Sequence, residues 1–171
     1  MKKLFLISMI FLTRYAAQAQ VAVGKQSLDG GAILDFATGG TSGIILPTVS
    51  SLPSGSGATD GTLIINAVNA NAVKAQARTN GAWIDISDDA RNITTLNLNA
   101  TAEQGTIAII GASSSNASGV LVLEAIDKAL VLPKVANAEA DIKSPFIGTM
   151  VYDLSSKSLA IFDGAKWNFW K

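Results

Sequence analysis

The sequence predicts a mostly β fold: two similar small modules of short strands and antiparallel meanders, fibre-like or sandwich-like. The main observation is the stretch 148–170, where turn-forming residues separate two apolar runs and a terminal aromatic run. A weaker copy of this pattern lies at 61–86. Charged residues make up only 15% of the chain. That composition is more typical of a repetitive β-structure, or of a surface buried in an oligomer, than of a monomeric enzyme.

Residues 1–19 have the features of a secretory signal peptide. Lys2 and Lys3 precede the apolar run 4–12, and Ala17-Gln18-Ala19 fits a cleavage site. The apolar run is too short to anchor the chain across a bilayer. We therefore expect an exported protein, extracellular or at the cell surface, with the periplasm as an alternative. Residues 20–27 then form a short N-terminal segment.

Short apolar runs predict the first strands in chain order. A candidate strand at 21–24 is followed by the first module, residues 28–87. In this module a strand at 32–36 precedes a second one at 44–46, which Pro47 ends because it lacks an N–H and has a fixed φ.

The middle of the first module leaves two alternatives. Residues 67–77 are rich in Ala and Asn, which is compatible with helical spacing. We favour a hairpin around Asn69-Ala70-Asn71, because the later copy has a turn at that point. Asn80-Gly81 is a stronger hairpin signal and leads into an alternating strand at 83–86.

Residues 88–114 are predicted to be a β-rich link, and residues 115–171 the second module. The link contains candidate strands at 96–100 and 106–110. The second module is predicted to contain strands at 120–124 and 129–132, one short helical turn within 135–142, and the final meander.

The two halves carry the same signals in the same order, which predicts an internal duplication. The Leu-Pro pairs at 46–47 and 132–133 are 86 residues apart. A Gly-Thr pair follows Pro47 after 14 residues, at Gly61, and follows Pro133 after 15 residues, at Gly148. Matching order together with matching spacing indicates a repeat, whereas shared composition alone would not.

The second half contains three short motifs in a characteristic order. A Leu-Pro-Lys segment at 132–134 precedes Gly-Thr-Met-Val-Tyr-Asp at 148–153 and Asp-Gly-Ala-Lys-Trp at 163–167. This resembles a tail-fibre-like module of secreted Bacteroidetes-type proteins. The family's usual Arg after Leu-Pro is Lys134 here and Thr48 in the first half. The resemblance implies a location and a structural style, and it brings no catalytic residue with it.

Composition also bears on chemistry. The chain has no Cys and no His, which removes the familiar nucleophilic triads and the commonest general base. Loss of Lys2, Lys3 and Arg14 with the leader leaves 10 basic against 13 acidic residues, a net charge of about −3, so nucleic acid is not an expected partner. We expect no enzyme activity, no cofactor and no catalytic or metal site. Asp85, Asp88 and Asp89 are better explained as a solvated turn than as a calcium loop.

The tryptophans leave core packing and sugar stacking as alternatives. Trp83 and Trp167 recur at matching repeat positions beside a Gly turn, which favours packing. Phe169 and Trp170 fall on opposite faces of one predicted strand, so at least one is expected to contact solvent or a partner. These two residues are the candidate ligand or partner contacts.

The leading hypothesis is a secreted or cell-surface structural protein, adhesin-like or tail-fibre-like, without catalysis. Apolar strands with few charges favour edge pairing, and fibre-like relatives form trimers, so we expect a homotrimer. One alternative is a carbohydrate-binding module that uses the tryptophans to bind a surface glycan. Another is an accessory subunit that binds an envelope protein through its C-terminal aromatic strand.

Overall fold

The computed structural model describes residues 20–88, 92 and 107–171. Short strands dominate these residues, together with one four-residue helix and one 3₁₀ turn, which confirms the mostly β fold. The elements are β1 (Val21–Val23), β2 (Ala32–Phe36), β3 (Ile44–Ile45), β4 (Thr48–Val49), the 3₁₀ turn (Gly55–Ala58), β5 (Leu63–Asn66), β6 (Lys74–Thr79), β7 (Ala82–Asp85), β8 (Ala108–Ile110), β9 (Leu121–Leu123), β10 (Ala129–Leu130), β11 (Lys134–Val135), α1 (Ala138–Asp141), β12 (Thr149–Asp153), β13 (Ser158–Phe162) and β14 (Trp167–Trp170).

The strand order of β1–β7 recurs in β8–β14. In the first set β1 pairs in parallel with β2, and β4 pairs in parallel with β5, which continues into the antiparallel meander β5-β6-β7. In the second set β8 pairs in parallel with β9, and β11 pairs in parallel with β12, which continues into β12-β13-β14. Both predicted antiparallel meanders are therefore present.

Individual hydrogen bonds repeat with the strands. The N–H of Ile65 donates to the Pro47 carbonyl at 2.9 Å, and the N–H of Tyr152 donates to the Pro133 carbonyl at 2.9 Å. The hydroxyl of Thr62 donates to the Thr59 carbonyl at 2.7 Å. In the second half the hydroxyl of Thr149 makes the matching bond to the Phe146 carbonyl at 2.6 Å.

Proline ends each aliphatic strand, but a second short strand follows it, which sequence analysis missed. Residues 48–49 and 134–135 each form a two-residue strand that pairs in parallel with the first strand of the following meander, β5 and β12 respectively. A proline has no N–H to donate, but its carbonyl still accepts a hydrogen bond, so the chain can begin a new pairing directly after it.

The two halves exchange strands in two of the four described sheets. β3 of the first half pairs antiparallel with β12 of the second, with Ile44 opposite Met150 and Ile45 opposite Thr149. In return β10 pairs in parallel with β2. Strands of two residues are too short to specify a pairing by local sequence, which is why the exchange was not predicted. The boundaries 28–87, 88–114 and 115–171 stay a prediction.

The main core lies between equivalent faces of the two meanders. Its buried members come from both halves and include Leu46, which directly follows β3. They are Leu46, Ile65, Ala67, Val73, Ala75, Ile86, Met150 and Ile161. A second cluster packs α1 against the other face of β12–β14, and its buried members are Val135, Ala138, Ile142, Val151, Ala160 and Trp167. The sheet β11–β14 is thus covered on both faces over much of its area.

Several local predictions have clear outcomes. Residues 69–71 form the turn of the β5–β6 hairpin, so the hairpin alternative is correct and the helical one is wrong. The short helical turn within 135–142 is confirmed as α1. The predicted signal peptide and the strand at 96–100 lie outside the described residues. Within the described ranges, no helix has the length and apolar character needed to cross a membrane.

The exchange of β3 depends on a close approach at Gly43. A Cβ built there would lie 2.7 Å from the Met150 carbonyl oxygen and 2.7 Å from Cγ1 of Val151. We expect Gly43→Ala to lower the free energy of unfolding by about 1–3 kcal/mol in urea denaturation, because an added methyl group overpacks this contact. Gly40→Ala is the control, since an added Cβ there has no atom within 4 Å. Equal stability of the two variants would contradict this account of the β3–β12 pairing.

Candidate self-association surface

β14 lies at one edge of its sheet and is buried only in its first half. Trp167 and Asn168 are buried, whereas Phe169 and Trp170 are 40% and 43% exposed. Cross-strand register places Phe169 opposite Ala160 and Trp170 opposite Leu159. The two exposed aromatic side chains therefore lie on opposite faces of the sheet.

Trp170 ends a row of side chains that crosses the whole sheet. Lys134 lies opposite Tyr152, Tyr152 opposite Leu159, and Leu159 opposite Trp170. Directly opposed residues share a face, so these four side chains form one strip, here called the Tyr152 row. None of the four is fully buried.

A groove lies beside the start of the Tyr152 row. It has a volume of about 270 Å³. Its walls come from the segment around Pro133 and from β12: Leu130, Val131, Leu132, Lys134 and Tyr152. Four of these five side chains have an apolar body, so the groove suits an aliphatic or aromatic segment of chain.

Buried polar groups fix the start of β14. Asp163 is fully buried and accepts hydrogen bonds from the N–H groups of Ala165 and Lys166 at 2.9 and 2.8 Å. The Asn168 amide donates to the same carboxylate at 2.9 Å. The Asn168 carbonyl oxygen accepts from the N–H of Asp88 at 3.3 Å, which ties the end of the first meander to the second. These contacts hold the strand that carries Trp170.

Asp153 performs the corresponding task at the end of β12. Its carboxylate accepts from the N–H groups of Ala138 and Ser156, each at 2.6 Å, and from the Ser156 hydroxyl at 2.8 Å. Burial by itself would raise the pKa of Asp153, but these hydrogen bonds outweigh it and hold the pKa below the ordinary value of 3.8. A single ionised side chain thus joins α1, β12 and the turn that follows.

The repeat tryptophans pack within their own hairpins. Trp167 lies against Phe162 with ring centroids 5.6 Å apart. Trp83 occupies the matching position, where the guanidinium of Arg78 lies 5.5 Å from its ring centroid. The packing interpretation therefore describes both residues. A sugar-stacking face made of all three tryptophans does not exist, since Trp167 is buried.

The acidic group near the end of β7 has structural partners. The Asp85 carboxylate accepts from the Gln76 amide at 2.7 Å and from Lys74. These two bonds, the Gln76 bond foremost, lower the pKa of Asp85. Asp89 lies outside the described residues, and in the part of the chain that is described no cluster of His, Cys, Asp and Glu is arranged to hold a metal ion.

Comparison with known families singles out the half that carries this surface. Residues 109–171 match the family model of the phage tail like trimerisation region. The match begins within β8 and extends to the end of the chain, so it covers the second set of strands. It supports a tail-fibre-like module and self-association as a trimer. No curated protein and no solved structure matches the chain significantly.

Strand alternation in the sequence selects Phe169 and Trp170 as candidate contacts, and the register places the two side chains on opposite faces as that alternation requires. Their role as contacts stays a prediction. The groove and the Tyr152 row were missed, because their members come from separate strands, three for the groove and four for the row. The matching Leu-Pro and Gly-Thr positions were the available signal, since together they pair each groove residue with a residue of the first half.

Asp153 is testable by pH. In Asp153→Asn one buried N–H loses its acceptor, so we expect a loss of about 1–3 kcal/mol at neutral pH, seen as a lower thermal midpoint. The folded-state pKa of Asp153 is depressed, so its contribution is fully present above about pH 3.8 and is lost as pH falls through the folded-state value.

The gap in thermal midpoint between the parent protein and Asp153→Asn should therefore narrow below pH 3.8. Asp127→Asn is the matched control, because that side chain is mostly exposed. A gap that stays constant down to pH 2 would contradict the role given to the ionised carboxylate.

Proposed function

We propose that this chain is an exported, non-catalytic structural protein of tail-fibre type that acts as a homotrimer at the cell surface or outside the cell. The match of residues 109–171 to a trimerisation region is the observation that carries the proposal. The β-rich, strand-exchanged fold fits such a role, since its repeated meanders present strand edges at which protomers can pair. An adhesin-like task for the assembled surface is the specific form we favour.

Export is supported by the N-terminal sequence, in which a basic start, a short apolar run and a small-residue cleavage site occur together. Composition supports the non-catalytic part of the proposal. A chain without His or Cys lacks the side chains on which most acid–base and nucleophilic enzymes depend. A structural role asks only for stable folding and association.

The two exposed aromatic side chains of β14 receive different roles in this proposal. Trp170 lies on the face of the main core, beside Leu159, and is assigned to contact between protomers. Phe169 lies on the opposite face, where it is available to a further partner, either a surface glycan or an envelope protein. A partly exposed aromatic residue at a strand edge suits either use.

The first prediction is the mass of the mature protein. Size-exclusion chromatography with light scattering on residues 20–171 should give three times the chain mass, and that mass should persist on dilution. A monomer at all concentrations would sink the trimeric structural role. Phe169 and Trp170 would then be tested for binding of sugar or of an envelope partner by quenching of tryptophan fluorescence.

The second prediction concerns Trp170. Burial of a large apolar side chain contributes roughly 1.5–3 kcal/mol, so Trp170→Ser should raise the concentration at which the trimer half-dissociates by about tenfold or more. Phe169→Ser and Ile126→Ser should leave this concentration unchanged, the latter because Ile126 is fully exposed. An equal effect of the two β14 variants on half-dissociation would refute the division of roles between the faces.

A further inference from the structure

The exchanged strand β3 makes a contact whose repeat counterpart is absent from the described part of the chain. Ile44 and Ile45 pair with Met150 and Thr149, and the N–H of Leu46 donates to the Gly148 carbonyl at 2.9 Å. The repeat equivalents of 44–46 are residues 130–132, and those of 148–150 are residues 61–63. No pairing between these two segments is present among the described strands, because β10 pairs with β2.

The backbone of β10 is nevertheless in the right phase for this contact. The N–H of Ala129 donates to the Gly31 carbonyl at 3.4 Å, and the N–H of Val131 donates to the Leu34 carbonyl at 3.0 Å. Backbone groups alternate in direction along a strand, so those of Leu130 point away from β2. Ile44, its equivalent in the first half, uses this same phase to bond β12.

The edge of β5 is open at the matching point. The N–H of Arg78 donates to the Thr62 carbonyl, and the N–H of Ile65 donates to the Pro47 carbonyl. By alternation the backbone groups of Leu63 face away from β6, on the edge where β4 covers only Ile65 and Asn66. Of the described strands, none pairs with Leu63 on that side.

Two equivalent glycines report the same difference. A Cβ at Gly148 would lie 2.9 Å from the Leu46 carbonyl oxygen and 3.0 Å from Cγ1 of Ile65. A Cβ at Gly61 would have no neighbour within 4 Å. Of the residues that the structure describes, none occupies over Gly61 the place that Leu46 occupies over Gly148.

The groove supplies the other side of the missing contact. Its lining residues, 130–132, 134 and 152, are the repeat equivalents of 44–46, 48 and 65. Within that first-half set, Leu46 and Ile65 lie against Gly148, and Ile44 pairs with Met150. The rows beside the two sets differ accordingly. Ile65, Ala75 and Ile86 of the first half are buried, whereas their counterparts in the Tyr152 row are partly or largely exposed.

We propose that the groove of one protomer receives the segment Gly61-Thr62-Leu63 of a second copy of this chain as an antiparallel strand. Leu130 then lies opposite Leu63 of the neighbour and Val131 opposite its Thr62. Ala129 carries a methyl group where Gly43 has none, so the pairing begins at Leu130. The groove and the β5 edge are different surfaces, and a head-to-tail contact between them closes into a ring when repeated about a threefold axis.

This inference rests on the proposed homotrimer and adds the strands that build it. Among the described residues, none fills the groove or pairs with the edge at Gly61. A neighbouring copy provides a segment that already has the required sequence, because Gly148-Thr149-Met150 and Gly61-Thr62-Leu63 are equivalent.

The chain has no Cys, which makes disulfide trapping clean. Ile45 and Thr149 are a non-hydrogen-bonded pair of the antiparallel β3–β12 ladder. In such a pair the Cβ atoms approach closely enough for a disulfide. Val131 and Thr62 are the equivalent positions. The variant Thr62→Cys/Val131→Cys should therefore run as a covalent trimer on a non-reducing gel after mild oxidation. Mixing the single variants Thr62→Cys and Val131→Cys, with refolding together, should give a covalent dimer that contains one of each.

Two matched controls frame this experiment. Ile45→Cys/Thr149→Cys should form its disulfide within one chain and run as a monomer, because that pair is observed within the fold. Thr62→Cys mixed with Ile126→Cys should give no covalent dimer. Light scattering on the same samples separates two kinds of failure. A trimeric mass without a 62–131 disulfide overturns the strand pairing alone, and a monomeric mass overturns the proposed function as well.

A 62–131 disulfide formed within one chain would also overturn the proposal. Leu130→Pro gives a test without cysteines, since it removes an N–H that β2 does not use. It should yield a folded protein by circular dichroism that dissociates at concentrations where Leu130→Val stays trimeric. Trimers of equal stability in these two variants would rule out the pairing.

Discussion

The insertion of β3 beside β12 is the interaction on which the rest of the fold depends. It brings Leu46 over Gly148 and into the core, where residues of both meanders meet. Sheets built from strands of two to six residues bury little surface on their own. The exchange removes that weakness, because each half of the chain adds a strand to a sheet of the other half and both halves contribute to one shared core.

The repeat explains most of what is regular in the molecule, and departures from it locate the proposed contact. Matching carbonyls at Pro47 and Pro133 accept matching hydrogen bonds, and Trp83 and Trp167 pack at matching hairpins. Symmetry fails where Gly148 is covered and Gly61 is open. Because of that difference, one molecule carries both an unpaired edge of β5 and the groove beside the Tyr152 row. Head-to-tail association needs two such different surfaces on each molecule. The family match to a trimerisation region falls on the half that carries the groove.

Turns and hairpins were predictable from sequence because their signals are local. Asn80-Gly81 and Asp163-Gly164 each set a hairpin by backbone requirements that few other residues meet. Strand partners were not predictable, since Ile44-Ile45 has no property that selects a strand about 100 residues away. The candidate surface divides in the same way: alternation identified Phe169 and Trp170, whereas the groove exists only once the segment 130–134 has packed beside β12. Asp153 was visible only as a turn former, because its acceptor role depends on α1.

The exchange between halves also sets an order for folding. β3 is among the earliest strands to leave the ribosome, but its partner β12 follows about 100 residues later. Contacts so distant in sequence slow folding, because a long loop must close before they form. Until then the aliphatic segment 44–46 has no sheet to join and is free to pair with other chains. The edge of β3 is therefore open to neighbouring chains until β12 has been made, so the timing of synthesis is part of how such an assembly reaches its correct form.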